Sequence, residues 1–334
     1  MKVLVKLPVK LGDTIMAAYF LRAIKTQFPS CRLEVIVAKG LEPMLDFMPY
    51  VAGFHLFSKS EYSGPAGNYR FGRLIRSRVR FDIVFCLPFS FSAATSCFFT
   101  GAKVRIGYAA EYRSLLLTHA VKRPSGLHIV EEFAFLLEYY TKKKVDLKPL
   151  GFITRASDKF QLSSRKKIIL NIRSGPPSRS IPLEKAISLV QSLLKWPDFE
   201  VILVGAPAEA NDIAHVKKAF KTHERVIDLA GKTTLKELAW VVGQAECMIT
   251  SDSGNAHVAN AVGTPTVVLF GAAFPHRAQP YDRSISKALV LDQLGCVPCQ
   301  SEKCRFGDNH CLTDIENTLI LGSATTLINQ MEVK

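Results

Sequence analysis

The feature that most limits how this chain can fold is an alternation of short β-branched apolar runs with longer amphipathic stretches. Residues 3–5 read as a strand and are followed by a helical pattern from about Thr14 to Phe28. Residues 33–37, 54–57, 83–85 and 104–106 read as further strands, and 128–141 as a helix. A polar stretch, 142–165, then interrupts the rhythm with three successive lysines, Pro149 and Gly151. Beyond it the pattern resumes. Strands are expected at 168–172, 201–204, 226–227, 248–249 and 267–270, and helices at 182–194, 235–242 and 318–330. Thr234 with Glu237 three residues on forms a capping box for the middle helix. Strands separated by helices must cross over to re-enter their sheet in the same direction, so the sheets should be parallel. At about 100–200 residues per domain, 334 residues suit two such sheets. The expectation is an α/β protein of two doubly wound domains, 1–155 and 156–334. The closing helix 318–330 is assigned to the second, with packing back toward the first left open. Ligands of such sheets bind beyond the carboxyl ends of the strands, so a cleft between the domains is the expected site.

Composition narrows the function. Apolar residues make up 48% of the chain and charged ones 22%, which excludes disorder for the bulk of it. Lysine and arginine total 43 against 29 acidic residues, for a net charge of +14. The excess is concentrated in residues 1–150, which carry 22 basic and 11 acidic side chains. Such a field suits a polyanionic partner. The start of the sequence has no apolar signal region, and no run reaches the ~18 apolar residues of a membrane span. Residues 83–102 are uncharged but contain Pro88, three serines and two threonines. They read as a strand, a proline-marked loop and a helix, with a membrane-touching segment as the alternative. Eight cysteines without a secretion signal point to reduced thiols in the cytoplasm.

Several chemistries are excluded by what is missing. No two glycines lie two residues apart, so the Gly-x-Gly-x-x-Gly dinucleotide fingerprint is absent. There is no P-loop, no Gly-x-Ser-x-Gly nucleophile elbow and no Asp-x-Asp pair for magnesium. Helix ends and basic side chains must therefore hold any nucleotide.

Five constellations remain. Leu11-Gly12-Asp13 follows the first strand. Gly12 lets backbone approach a ligand, and Asp13 is either an N-cap or a general base. Thr250-Ser251-Asp252-Ser253-Gly254-Asn255-Ala256-His257 opens a helix with small residues, where free amides and the helix dipole favour a diphosphate. The alternative is a plain cap at Asp252 or Ser253 and a packed His257. Arg173-Ser174-Gly175-Pro176-Pro177-Ser178-Arg179 follows another strand and either clamps phosphates or is a solvated loop. Arg70, Arg73, Arg76 and Arg80 share one helix face, with Arg105 and Arg113 adding charge further on; stacked like charges repel, so an anionic partner is expected there. Finally, Cys296-x2-Cys299-x4-Cys304-x6-Cys311 places four thiols in one loop. They read as a closed structural site for zinc or iron, or as free, redox-active thiols.

The run from Leu229-Ala230-Gly231-Lys232-Thr233-Thr234 through Asp252-Ser253-Gly254-Asn255-Ala256-His257 to Gly263-Thr264-Pro265 and Phe270-Gly271 resembles the donor half of the family 9 glycosyltransferases, the heptosyltransferases of lipopolysaccharide core assembly. Leu11-Gly12-Asp13, Phe81-Asp82-Ile83-Val84 and Arg105-Ile106-Gly107-Tyr108 resemble their acceptor half. The resemblance implies a GT-B fold, two Rossmann-like domains facing a central cleft. It implies inverting transfer of heptose from ADP-heptose to an anionic, lipid-linked inner-core glycan, with no cofactor needed for the chemistry. The enzyme would be cytoplasmic, peripheral at the inner membrane face, and not a nucleic-acid binder.

Asp13 would be the base. Gly12, Ser174, Arg179, Glu209, Lys232, Thr233, Asp252, Ser253, Gly254 and His257 would bind the donor, and Arg70, Arg73, Arg76, Arg105 and Arg113 the acceptor. The sequence departs from the family's usual Lys-Arg-Trp-Pro at Arg179-Ser180-Ile181-Pro182, and from Pro-Thr at Ala272-Ala273. The alternatives are another GT-B nucleotide-sugar enzyme of the epimerase or hydrolase type, or a non-catalytic binder of anionic polymers.

Overall fold

The computed structural model describes residues 1–110 and 112–332. The chain divides into two compact units, Met1–Leu150 and Gly151–Lys334, within the polar stretch 142–165. In the first, strands β1 (Lys2–Lys6), β2 (Arg32–Ala38), β3 (Gly53–Phe57), β4 (Ile83–Cys86), β5 (Val104–Tyr108) and β6 (His119–Val121) alternate with helices. The helices are α1 (Leu11–Gln27), the short α2 (Lys59–Tyr62), α3 (Gly64–Arg78), α4 (Phe91–Phe99) and α5 (Ile129–Thr141). The second unit has β7 (Lys166–Asn171), β8 (Phe199–Leu203), β9 (Val226–Asp228), β10 (Cys247–Ser251), β11 (Thr266–Phe270) and β12 (Ser286–Val290). Its helices are α6 (Leu183–Leu193), α7 (Ala210–Lys218), α8 (Leu235–Gly243), α9 (Gly254–Val262), the short α10 (Pro275–Ala278) and α11 (His310–Thr313), and α12 (Asn317–Glu332).

Both sheets are parallel throughout, in the orders β3-β2-β1-β4-β5-β6 and β12-β11-β10-β7-β8-β9. This is the doubly wound α/β architecture the alternation predicts, twice over. The period of two along each strand explains why the runs are apolar on every residue. Ile168, Leu170, Val201, Leu203, Ile249 and Val267 enter the core on one face of the second sheet. Their neighbours Ile169, Ile202, Val204 and Met248 enter the core on the other. A strand covered by helices on both faces has no solvent side to keep polar.

The strands expected from the apolar runs all form. Those that went unread, β6 and β12, are short edge strands of mixed polarity, His119-Ala120-Val121 and Ser286-Lys287-Ala288-Leu289-Val290. Residues 83–102 form β4, a loop at Pro88 and α4, and no helix among the described residues is long and apolar enough to cross a membrane. The first helix begins earlier than expected. Lys10 is its N-cap, so Asp13 lies inside the first turn rather than capping it. Helix α12 buries Ile320, Ala324, Leu327 and Ile328 in the core of the second unit.

Helices α3 and α4 pack at van der Waals distance through Gly72, where a Cβ would lie 2.5 Å from the Ser96 carbonyl oxygen and 2.8 Å from the Phe99 Cβ. Backbone lies in the way, so the contact cannot relax by a rotamer change. Gly72→Ala should lower unfolding free energy in urea by about 1–3 kcal/mol, the usual cost of overpacking; an unchanged midpoint would mean that the two helices are not held this closely.

Candidate functional site

In the second sheet the strand order reverses between β7 and β10, which pair side by side while their successors lie on opposite flanks. Loops leaving such a pair diverge and open a crevice at the carboxyl edge. Asn171, the last residue of β7, binds the two loops together. Its amide nitrogen is shared among Thr250 Oγ1 at 3.1 Å, Ser253 Oγ at 3.0 Å and the Arg173 carbonyl at 2.9 Å. Its oxygen accepts from Asn255 Nδ2 at 3.0 Å. Ser174 Oγ donates to the Asp252 carbonyl at 2.6 Å, and Ser251 Oγ to the Arg173 carbonyl at 3.1 Å. The sequence reading did not single out Asn171. Its only signal is a polar side chain interrupting an apolar run.

The N-terminus of α9 sits on this network. Ser253 is the N-cap, but its hydroxyl is engaged with Asn171 and does not cap the helix, contrary to the simple capping alternative. Gly254 occupies the first helical position, and His257 is buried in the first turn. Arg179 Nη1 pairs with the Asp252 carboxylate at 3.1 Å, and Arg173 pairs with Asp212 of α7. The Nε donors of both arginines are buried and have no acceptor among the described residues. A dry, unmatched donor costs about 1–3 kcal/mol. Arg179 thus sets a guanidinium beside the start of α9, where amide donors and a charged fork suit a polyanionic oxygen ligand such as a diphosphate.

The remaining donor candidates lie in neighbouring turns at the same edge. Glu209 accepts from the Ala206 amide at 2.8 Å and so holds the turn after β8. Lys232 is exposed and donates to the Asp228 carbonyl at 2.7 Å, and Thr233 follows it half-buried just ahead of the Thr234 capping box of α8.

In the first sheet the order reverses between β1 and β4. The loop after β1 leads directly into α1, with Gly12 and Asp13 half-buried in its first turn at the carboxyl edge. Arg70 and Arg73 are exposed on α3 and Arg76 is half-buried, packed against Gly101; Arg80 lies beyond the end of the helix. Two of the expected acceptor residues are placed otherwise. Arg113 is fully buried, donating to the Pro88 and Cys86 carbonyls, so it props the loop after β4 and does not meet an acceptor at the surface. Arg105 spends its guanidinium on the Leu116 and Ala102 carbonyls and lies over the Phe98 ring.

The four late cysteines line a single cavity of about 270 Å³ beside Ser178 and Asn309. Cys299 is exposed, the other three are half-buried, and none is in a disulfide. Burial works to raise the Cys304 thiol, but amides of Asn309, Phe306, Gly307 and Asp308 outweigh it and hold the thiol below its ordinary value. Burial, and then the nearby charges of Cys304, Cys296 and Cys299, push Cys311 up to about 11. As placed, no three His, Cys, Asp or Glu side chains among the described residues converge closely enough to hold an ion.

The model of glycosyltransferase family 9 (heptosyltransferase) matches residues 69–310, well over half the chain. The chain belongs to this family. It is an enzyme that transfers a glycosyl group. Among curated proteins it is similar to lipopolysaccharide heptosyltransferase 2 of Escherichia coli K12, at 26% identity over 99% of this chain and 100% of that protein. Among solved structures it is similar to ADP-heptose lipopolysaccharide heptosyltransferase II of E. coli, with TM-score 0.83, 23% identity and coverage of 99% and 100% of the two chains. It is also similar to a family 9 glycosyltransferase of Veillonella parvula, with TM-score 0.86, 19% identity and coverage of 98% and 97%. These likenesses establish the GT-B fold of two Rossmann-like halves. Asp13 lies outside the matched residues.

Because Asn171 is fully buried and joins two loops, its loss takes the acceptor from Asn255 Nδ2 and the shared donor from Thr250, Ser253 and the Arg173 carbonyl. Asn171→Ala in this family 9 chain should cost about 1–3 kcal/mol of stability. Chemical denaturation checks this, and a midpoint equal to that of the parent chain would mean that the two loops hold their positions without it.

Proposed function

We propose that this chain transfers heptose from ADP-heptose to a lipopolysaccharide inner-core acceptor with inversion at the anomeric carbon. The observation that carries the reading is the buried, unmatched Nε donor of Arg179, whose guanidinium pairs with Asp252 immediately ahead of the N-terminus of α9. The names of the E. coli relatives supply the donor and acceptor class.

In this reading the donor diphosphate lies on the first-turn amides of α9, at Ser253 and Gly254, and against Arg179. Charge grows on the diphosphate as the bond to the sugar breaks, and preorganised amides and a guanidinium stabilise it as it forms. Asp252 keeps Arg179 aimed, and Asn171, Ser174 and His257 keep the two loops in place. The free oxygen of Glu209 is assigned to the donor ribose, and Lys232 and Thr233 to the neighbouring turn of the donor site. The acceptor hydroxyl is a weak nucleophile until a carboxylate takes its proton, and Asp13 is that base. Phosphates and acidic sugars of the acceptor meet Arg70 and Arg73, with Arg76 behind them. The basic excess of residues 1–150 draws such an acceptor to the inner face of the cytoplasmic membrane, where the protein works peripherally.

Removing the base should spare the ground state. Asp13→Asn is expected to lower kcat by about 10²–10⁴-fold while the ADP Kd stays within a few-fold. Steady-state ADP release and calorimetric ADP binding separate the two quantities, and undiminished turnover removes Asp13 from the chemistry. Arg179→Ala should weaken ADP binding by about ten- to a hundredfold, the worth of a charged hydrogen bond; an unaltered Kd contradicts the clamp. A thermal-shift series with ADP, UDP and GDP tests the base, since stabilisation scales as RT ln(1 + [L]/Kd). The largest shift is expected with ADP. Donor consumption without any acceptor would replace transfer by hydrolysis or epimerisation.

A further inference from the structure

The loop that holds Cys296, Cys299, Cys304 and Cys311 has no part in the transfer described above, yet the protein builds it with care. The four thiols face one cavity, and no disulfide joins any of them. The backbone turns through Gly307 at a φ of +87°, and the Gly307 amide donates to the Cys304 carbonyl at 3.3 Å. Across the cavity, Gly271 makes room for Cys311; a Cβ there would lie 2.4 Å from the Cys311 Sγ. The loop therefore presents sulfur from four positions with separations of two, four and six residues, and Gly271 leaves room for one of them.

The same loop braces the turn that carries Arg179. The Ser178 amide donates to the Glu302 carbonyl at 3.1 Å, and the Ser178 hydroxyl to the Ser301 carbonyl. Asn309 Nδ2 donates to the carbonyls of Pro177 and Ser180 at 2.9 and 3.1 Å. The Gln300 amide donates to the Ala272 carbonyl at 2.7 Å, tying the loop to the end of β11. Whatever fixes the cysteine loop fixes the Pro177–Arg179 turn as well.

We propose that the four cysteines bind one thiophilic ion, zinc or iron, as a closed tetrathiolate, and that the ion positions Arg179 for the donor diphosphate by fixing this loop. The second clause rests on the donor site assigned above. The sulfurs are not within ligating distance as placed. The cavity of about 270 Å³ that all four thiols line is the space in which they would meet the ion. Binding displaces the thiol protons to solvent. Four sulfur ligands leave no open position on the ion, so its role is structural.

The test uses the full chain, purified under reducing conditions without chelator. Elemental analysis should find about one equivalent of zinc or iron per chain, the two distinguished by the element itself and by colour. Exchange into Co²⁺ should give thiolate-to-cobalt charge-transfer bands with the intense visible absorption of a tetrahedral site. Cys299→Ser and Cys304→Ser should each abolish both signals. Absence of stoichiometric metal together with absence of the charge-transfer bands in the intact chain overturns the site. Neither readout involves the donor, so this failure is distinct from a failure of ADP to bind. Asn309→Ala keeps all four thiols and cuts the tie to Pro177 and Ser180. It should retain its metal while the KM for the donor rises about tenfold and kcat changes less. Full metal content with an unchanged donor KM overturns the positioning role.

Discussion

Parallel pairing is the constraint from which the site follows. When all six strands of a sheet run the same way, every strand-to-helix turn falls on one edge, and a reversal of strand order parts two of those turns. In the second sheet the parted turns follow β7 and β10, which are far apart in sequence. Asn171 and Ser253 are separated by 82 residues and lie 3.0 Å apart only because their strands are neighbours. The buried amide of Asn171 then does what no single loop could. It fixes two backbones relative to each other, so that Arg179 on one pairs with Asp252 at the helix N-terminus on the other. The first sheet repeats the device between β1 and β4, with Asp13 at the corresponding edge.

Positive charge in this protein has two uses that look alike in the sequence. Arg70 and Arg73 stand on a helix surface, where a guanidinium costs little and attracts anions at a distance. Arg113 is taken out of water altogether, its two Nη groups donating hydrogen bonds to carbonyls at and just beyond the end of β4. Arg105 is intermediate, its guanidinium turned back on two carbonyls of its own unit. The spacing of 3 and 3 puts Arg70, Arg73 and Arg76 on one face of α3, because helix geometry alone sets which of its residues point together, whereas Arg80, expected on the same face, lies beyond the helix end at Arg78. For Arg105 and Arg113 there was no such local rule. Their environment is made by loops distant in the chain.

The departures from the family's usual residues become intelligible in the same terms. Ile181 is completely buried and extends the core beneath the Arg179 turn, and Ser180 supplies its hydroxyl to the Ser174 amide at 3.2 Å. Ala272 offers a carbonyl to the cysteine loop, and Gly271 offers space. The turn, the end of β11 and the cysteine loop are therefore braced against one another by hydrogen bonds.

By itself, the sequence determined the architecture: two parallel sheets, their strands, the capping box at Thr234, and the small-residue helix start at Gly254. These are local, set by residue-to-residue periodicity and by the chemistry of a single turn. Short edge strands such as β6 and the α1 start at Leu11 escaped it, because a few residues of mixed polarity carry no period. Only the tertiary structure decided that Asn171 joins the loops after β7 and β10, that Arg113 is interior, and that the cysteine loop is hydrogen-bonded to the turn at residues 177–180. Each of those facts depends on strand order and on which loop lies across which cavity, and a hydrogen bond between residues scores of positions apart leaves no periodic trace in the chain that makes it.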